Sequence, residues 1–152
     1  MMMAVRPELV ASEMLRVCRP GGTIAMANWT KEGFVGKMFG TIARYMPPPP
    51  VPSPLLWGNA DVVRDRFGAE VSALRLTRVK YCFDYPFSSA ATVEFFGQYY
   101  GPLTRAFAAV GDSERASLVA ELTDLWTSHN TATESDRTHV DAEYLEVIGT
   151  RR

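Results

Sequence analysis

Asn28, Trp29 and Thr30 are the residues best placed to meet a ligand, because they follow directly on the apolar run Thr23–Ala27. A run that short and apolar, bounded by turn residues, predicts a strand covered on both faces, as in a parallel sheet flanked by helices. In such sheets, ligands bind just beyond the carboxyl ends of the strands. Trp29 offers an aromatic face on which a substrate or a cation can stack, an attraction of about 0.5–2 kcal/mol. Plain packing is the alternative for that ring. Other chemistry-bearing groups are sparse. His129 and His139 flank a polar segment with no Cys or carboxylate read at ligand spacing, so no metal site is expected. No Ser-His-Asp or Cys-His grouping stands out, and no catalytic residue is assigned. No Gly-rich turn stands between a strand and a helix in the manner of a nucleotide-binding sheet.

The elements that must hold these residues begin with a helix over Pro7–Cys18. Pro7 suits its first turn, Glu8 lies at the positive end of the dipole, and Arg16 and Arg19 lie near the negative end. Pro20 cannot continue the helix, and Gly21-Gly22 can take the positive φ angles that turn the chain into the strand. Phe34, Met38, Phe39, Ile42 and Tyr45 recur at helical spacing, which predicts a helix over Gly33–Met46 despite Gly36 and Gly40. Residues 47–58 are Pro-rich. Locked φ angles and missing N–H groups make the prolines extended, and the segment reads as a stiff connector rather than a ligand for a proline-recognition module.

Downstream, Asn59 is a candidate N-cap for a short helix ending at Phe67, with Gly68 just past it. Ala73–Tyr85 alternates, with Leu74, Leu76, Val79, Tyr81, Phe83 and Tyr85 at the apolar positions and one phase slip near Thr77. A bulge, or a kink between two short strands, would explain the slip. Arg75, Arg78 and Lys80 read as the wet face of that strand rather than as an anion site. Ser88 or Ser89 caps a helix that Gly101-Pro102 ends, Pro102 opens the next, and Asp112 or Ser113 caps a third. Ser128–Thr138 reads as a polar loop and Val140–Ile148 as a closing strand.

Composition bounds the class. The 152 residues are 47% hydrophobic, enough for a core, and the net charge of −1 gives no general attraction to nucleic acid or anionic lipid. No apolar run approaches the roughly 20 residues needed to cross a bilayer. Met1-Met2-Met3-Ala4 has no long apolar stretch behind it, so no signal peptide is expected. Cys18 and Cys82 lie far apart and read as free thiols in a reducing cytoplasm.

Leu15-Arg16-Val17-Cys18-Arg19-Pro20-Gly21-Gly22-Thr23-Ile24 resembles the helix, turn and strand that lead into the fifth sheet strand of class I S-adenosylmethionine-dependent methyltransferases. Ala27–Thr30, Gly33–Gly36, Pro54–Gly58 and Phe95–Pro102 look like one small-molecule branch of the same enzymes, so the resemblance covers nearly the whole chain. It implies an α/β fold, namely the C-terminal part of a Rossmann-like methyltransferase sheet. Thr23–Ala27, Leu74–Phe83 and Val140–Ile148 would be its fifth, sixth and seventh strands, the last running antiparallel between the other two. Residues 88–130 would be a helical insertion that caps the substrate and excludes water. Asn28, Trp29 and Thr30 would line the acceptor pocket, and Trp29 could face the sulfonium. Tyr99 and Tyr100 would line the lid, with core packing as their alternative. Methyl transfer needs alignment and desolvation more than acid–base groups, so no catalytic residue is required. S-adenosylmethionine is the implied cofactor, yet its Gly-rich turn and ribose-holding acid are absent from this chain, and no cofactor-binding residue is assigned. The expectation is a single partial domain over 1–152: the substrate-side half of a small-molecule methyltransferase, inactive alone. Its partners would be a small-molecule acceptor and either a second copy or a complementing N-terminal half. The alternative is a non-enzymatic module of the same fold that oligomerises or binds a small ligand.

Overall fold

The computed structural model describes residues 4–152; Met1–Met3, on which the signal-peptide expectation partly rests, lie outside them. Seven α or 3-10 helices and three strands are present among the described residues. The helix α1 spans Pro7–Val17, with Pro7 in its first turn and Cys18 as C-cap. Gly21 then takes a φ of 73°. That turn starts the strand β1, Thr23–Trp29. The helix α2 covers Phe34–Tyr45. A 3-10 helix at Pro54–Gly58 leads into α3, Ala60–Phe67, and then β2, Val71–Tyr85. The helices α4 (Ser89–Tyr99), α5 (Gly101–Ala109) and α6 (Asp112–His129) precede β3, Thr138–Arg151.

The last strand lies between the other two: the sheet order is β1-β3-β2, and β3 runs antiparallel to β1 from Thr23↔Thr150 to Trp29↔Tyr144. The result is an α/β chain with a small antiparallel sheet. The strand β1 therefore has a hydrogen-bonded neighbour on one edge only, among the described residues.

The chain divides into two compact units. One comprises the chain through Gly36, Pro50–Lys80 and Glu143–Arg152; the other comprises Lys37–Pro49 and Tyr81–Ala142. The core of the first gathers Leu15, Met26, Trp57, Phe67 and Val147 from helices and strands. In the second, α4 packs on α5 and α6. Phe83, Phe96 and Trp126 meet there, with Phe96 and Trp126 5.1 Å apart between ring centroids.

Several expectations need correction. β1 is not covered on both faces: Ile24, Met26 and Asn28 are buried while Thr23, Ala25 and Ala27 are exposed. The outward residues are small, so they read as apolar in sequence while burying little area. The stiff connector ends at Ser53, whose hydroxyl accepts the Leu55 N–H at 3.3 Å and caps the 3-10 helix that occupies the rest of 47–58. β2 is one 15-residue strand rather than two, and Tyr81 stands out of it, 55% exposed. α6 is capped by Gly111 rather than Asp112 or Ser113; the Glu114 carboxylate accepts the Gly111 N–H, and the helix absorbs Ser128 and His129. β3 extends past Ile148 because the Arg151 N–H donates to Gly22 O and the Gly21 N–H donates to Arg151 O, both at 2.9 Å. The caps at Asn59 and Ser88 form as expected.

Candidate functional site at the carboxyl end of β1

Pleating sends alternate residues of β1 to opposite faces. Asn28 follows Ile24 and Met26 inward and is 1% exposed. Neither its amide nitrogen nor its amide oxygen finds a protein partner. Leaving a buried polar group unsatisfied costs about 1–3 kcal/mol, so this amide is an anomaly that calls for an explanation.

Trp29 points the other way. Its ring meets that of its cross-strand partner Tyr144 edge-on, with centroids 6.2 Å apart at 86°. This edge-on contact across the sheet takes part of the surface expected to meet a ligand. The Trp29 carbonyl sits against the end of the 3-10 helix. A Cβ on Gly58 would overlap that oxygen, so only glycine allows the approach.

Thr30 is fully buried and its hydroxyl is already engaged. It donates to Glu143 Oε1 at 2.9 Å and accepts the Gly33 N–H at 3.2 Å. Its own N–H donates to the Glu143 carbonyl at 3.2 Å. Thr30 is therefore a latch: it closes the β1–β3 ladder and fixes the turn that opens α2. Gly36, in the first turn of α2, has no room for a Cβ, which would overlap the Lys31 carbonyl. The same Glu143 oxygen accepts Arg78 Nη1 at 2.9 Å, and Arg78 Nη2 lies 3.7 Å from Glu32. Arg75 likewise pairs with Glu146 at 3.1 Å. The two arginines are exposed and matched by carboxylates, as the wet-face reading requires, and they are not an anion site.

Glu143 is the member that local reading missed. It comes 113 residues after Thr30, and only strand register brings the two together.

A cavity of about 170 Å³ lies beside this end of β1, lined by Lys31, Glu32, Ser53, Leu55, Leu56, Gly58 and Asn59. A larger open groove, about 780 Å³, is lined by residues of α1 and α3 with Glu70 and Arg151, and it contains none of Asn28, Trp29 or Thr30. Arg66 enters that groove stacked 4.2 Å over Trp57, and desolvation holds its pKa below the usual guanidinium range. The groove's lining is charge-balanced, and Arg151 pairs with the Gly21-Gly22 turn at the amino end of β1. The smaller cavity lies at the end of β1 where Asn28, Trp29 and Thr30 stand, so it is the better candidate for a site that uses them. Its volume is below the roughly 300–1,000 Å³ of ordinary ligand pockets, so these walls do not make a whole site.

Tyr99 and Tyr100 belong to the other unit. Tyr99 is 72% exposed and rests against the Phe95 ring on its own helix, so core packing does not hold for it. Tyr100 packs against Phe39 and Phe96, and burial pushes its phenol up to about 12. It is a neutral hydroxyl near pH 7. No described helix is long and apolar enough to cross a membrane.

No family model matches the chain. An uncharacterized protein of Mycobacterium tuberculosis is 38% identical over 128 residues, which is 82% of this chain and 47% of that protein. A second M. tuberculosis protein, also uncharacterized, is 40% identical over 127 residues, 80% of this chain and 44% of its own length. Mycobacterium bovis has counterparts at the same identities. The chain thus spans about half the length of the curated relatives it matches.

Proposed function

We propose that this chain is the substrate-side part of a small-molecule S-adenosylmethionine-dependent methyltransferase, complete only with a cofactor-binding part. The observation that carries the reading is Asn28: a buried amide with both polar atoms unsatisfied, at the strand end where ligands of such sheets bind. Three further features support it. The order β1-β3-β2, with β3 antiparallel to β1 and in the middle, is the order implied for the fifth, seventh and sixth strands of that family. The outer edge of β1 and its small-residue face, Thr23, Ala25 and Ala27, suit a further strand and covering helices. The adjoining cavity is too small to enclose an acceptor unaided.

The residues present do not fit the cofactor. Glycines that cradle a nucleotide leave room where a Cβ would be. Here the space at Gly36 and Gly58 is filled by the chain's own backbone, and Gly21-Gly22 lies at the opposite end of β1. In this reading the methyl donor is held by other sequence. This chain's own contributions are positional. The Asn28 amide would hydrogen-bond a polar group of the acceptor, the Trp29–Tyr144 pair would form an aromatic wall, and Thr30 with Glu143 would keep both in register. The Glu143 carboxylate is engaged by Thr30 and Arg78, so its part in this reading is to hold the strand end in place for a reaction governed by alignment and desolvation.

Calorimetry tests the reading. The chain alone should take up no S-adenosylmethionine. Co-expression with the portion of the M. tuberculosis relative to which it does not align should yield a complex binding one equivalent. Tight uptake by the lone chain, or a folded complex that binds none, overturns it. A second reading, self-association through the β1 edge, rests on that same open edge. It predicts a stable dimer by light scattering that Ala25→Pro abolishes.

A further inference from the structure

Strand pairing gathers a second set of chemistry-bearing groups, within one unit. His139 and Asp141 are two apart on β3, so the pleat turns them to one face of the sheet. Cys82 comes from β2. One ligand atom from each, a thiol sulfur, a ring nitrogen and a carboxylate oxygen, lie within 4.8 Å of one another. Sequence reading found no Cys or carboxylate at ligand spacing about His139. The fold corrects this: the carboxylate is two residues on, and the thiol arrives from a different strand through the sheet.

We propose that Cys82, His139 and Asp141 form a binding site for a borderline-soft divalent cation of the zinc class. Zinc takes thiolate, imidazole and carboxylate at about 2.0–2.3 Å, which puts ligand atoms roughly 3.3–3.7 Å apart. The gap from 4.8 Å closes by side-chain rotation, since His139 and Asp141 are exposed and Cys82 is half-buried. A thiolate and a carboxylate match the two charges of the ion. A sulfur ligand disfavours magnesium and calcium, which want oxygen.

The backbone beneath the site is held firmly. The His139 N–H donates to the Asn130 side-chain oxygen at 2.8 Å, and the His139 carbonyl accepts the Thr131 N–H at 2.9 Å and its hydroxyl at 3.1 Å. Ligands on clamped strands are more accurately placed than ligands on loops. The neighbouring carboxylate, Asp84, is bound by Arg137 in a two-pronged pair at 3.0 and 2.8 Å and is not among the groups gathered within 4.8 Å. Three protein ligands leave one position for water or a bound molecule, the pattern of an open zinc site.

The test uses the purified full chain with zinc and with cobalt, in a buffer that does not chelate. One zinc per chain should bind by calorimetry, and excess magnesium should not compete. Cobalt should give a thiolate-to-metal charge-transfer band. Cys82→Ser should abolish the band, and Cys18→Ser should keep it. His139→Ala and Asp141→Asn should each weaken zinc by about tenfold or more, while His129→Ala leaves it unchanged. Circular dichroism confirms that each variant folds, and the substitutions at the two exposed positions keep the test decisive even if Cys82→Ser does not fold. Absence of stoichiometric binding, cobalt without a thiolate band, or binding that survives both Cys82→Ser and His139→Ala overturns the proposal.

Discussion

Replacing Asn28 with leucine should make the isolated chain more stable. Both side chains carry four heavy atoms branched at Cγ, so the swap nearly preserves shape on a face that already holds Ile24 and Met26. It removes two buried polar atoms that have no partner. Each carries a desolvation cost of about 1–3 kcal/mol, and repacking a planar amide site around tetrahedral methyls returns up to roughly 1.5 kcal/mol. The two costs sum to about 2–6 kcal/mol, so a net gain of at least about 0.5 kcal/mol is expected. At roughly 2–4 °C per kcal/mol for a chain of 152 residues, the melting midpoint should rise by at least about 1 °C. Urea unfolding followed by far-ultraviolet circular dichroism measures it, with the slope checked for constancy. Asn28→Ala serves as the contrast, because it removes the same polar atoms but leaves a cavity and forfeits the gain. A loss of more than about 1 kcal/mol for Asn28→Leu would refute the reasoning, since it would mean the amide is hydrogen-bonded in the chain by itself. Stability stored against function in this way is the usual pattern at ligand sites.

Gly58→Ala should cost about 1–3 kcal/mol, because its Cβ would press into the Trp29 carbonyl. Gly40→Ala, with open space around the added methyl, should instead gain up to about 1 kcal/mol; paired urea midpoints compare them. Tyr100 should resist alkali. Burial raises its folded pKa to about 12 from the ordinary tyrosine value of 10.0, so the stability it contributes is complete below pH 10 and is lost as pH rises toward 12. Tyr100→Phe should flatten the stability profile across that window, and equal alkaline slopes in both proteins would count against the burial of this phenol.

Local chemistry was legible along the chain. The Asn59 and Ser88 caps, the Pro20-Gly21-Gly22 turn and the order of elements follow from hydrogen-bonding side chains and restricted φ angles, which act over three or four residues. A short apolar run bounded by turn residues marked the strand at Thr23–Ala27, which the structure extends through Asn28 to Trp29. It did not reveal that one face of that strand is bare, because small outward residues such as Ala25 and Ala27 look apolar whether or not anything covers them.

Which distant groups meet was decided by the tertiary structure alone. Thr30 finds Glu143, Arg78 finds the same carboxylate, and Cys82 comes beside His139 and Asp141. Each meeting depends on the register of β3 against its neighbours, and a slip of one residue in β3 would turn Glu143, His139 and Asp141 to the opposite face. Asn28 shows the division most plainly. The sequence placed it just past a strand; the structure puts it inside β1, and that its amide is both buried and unanswered emerges only when the whole surrounding core is in place.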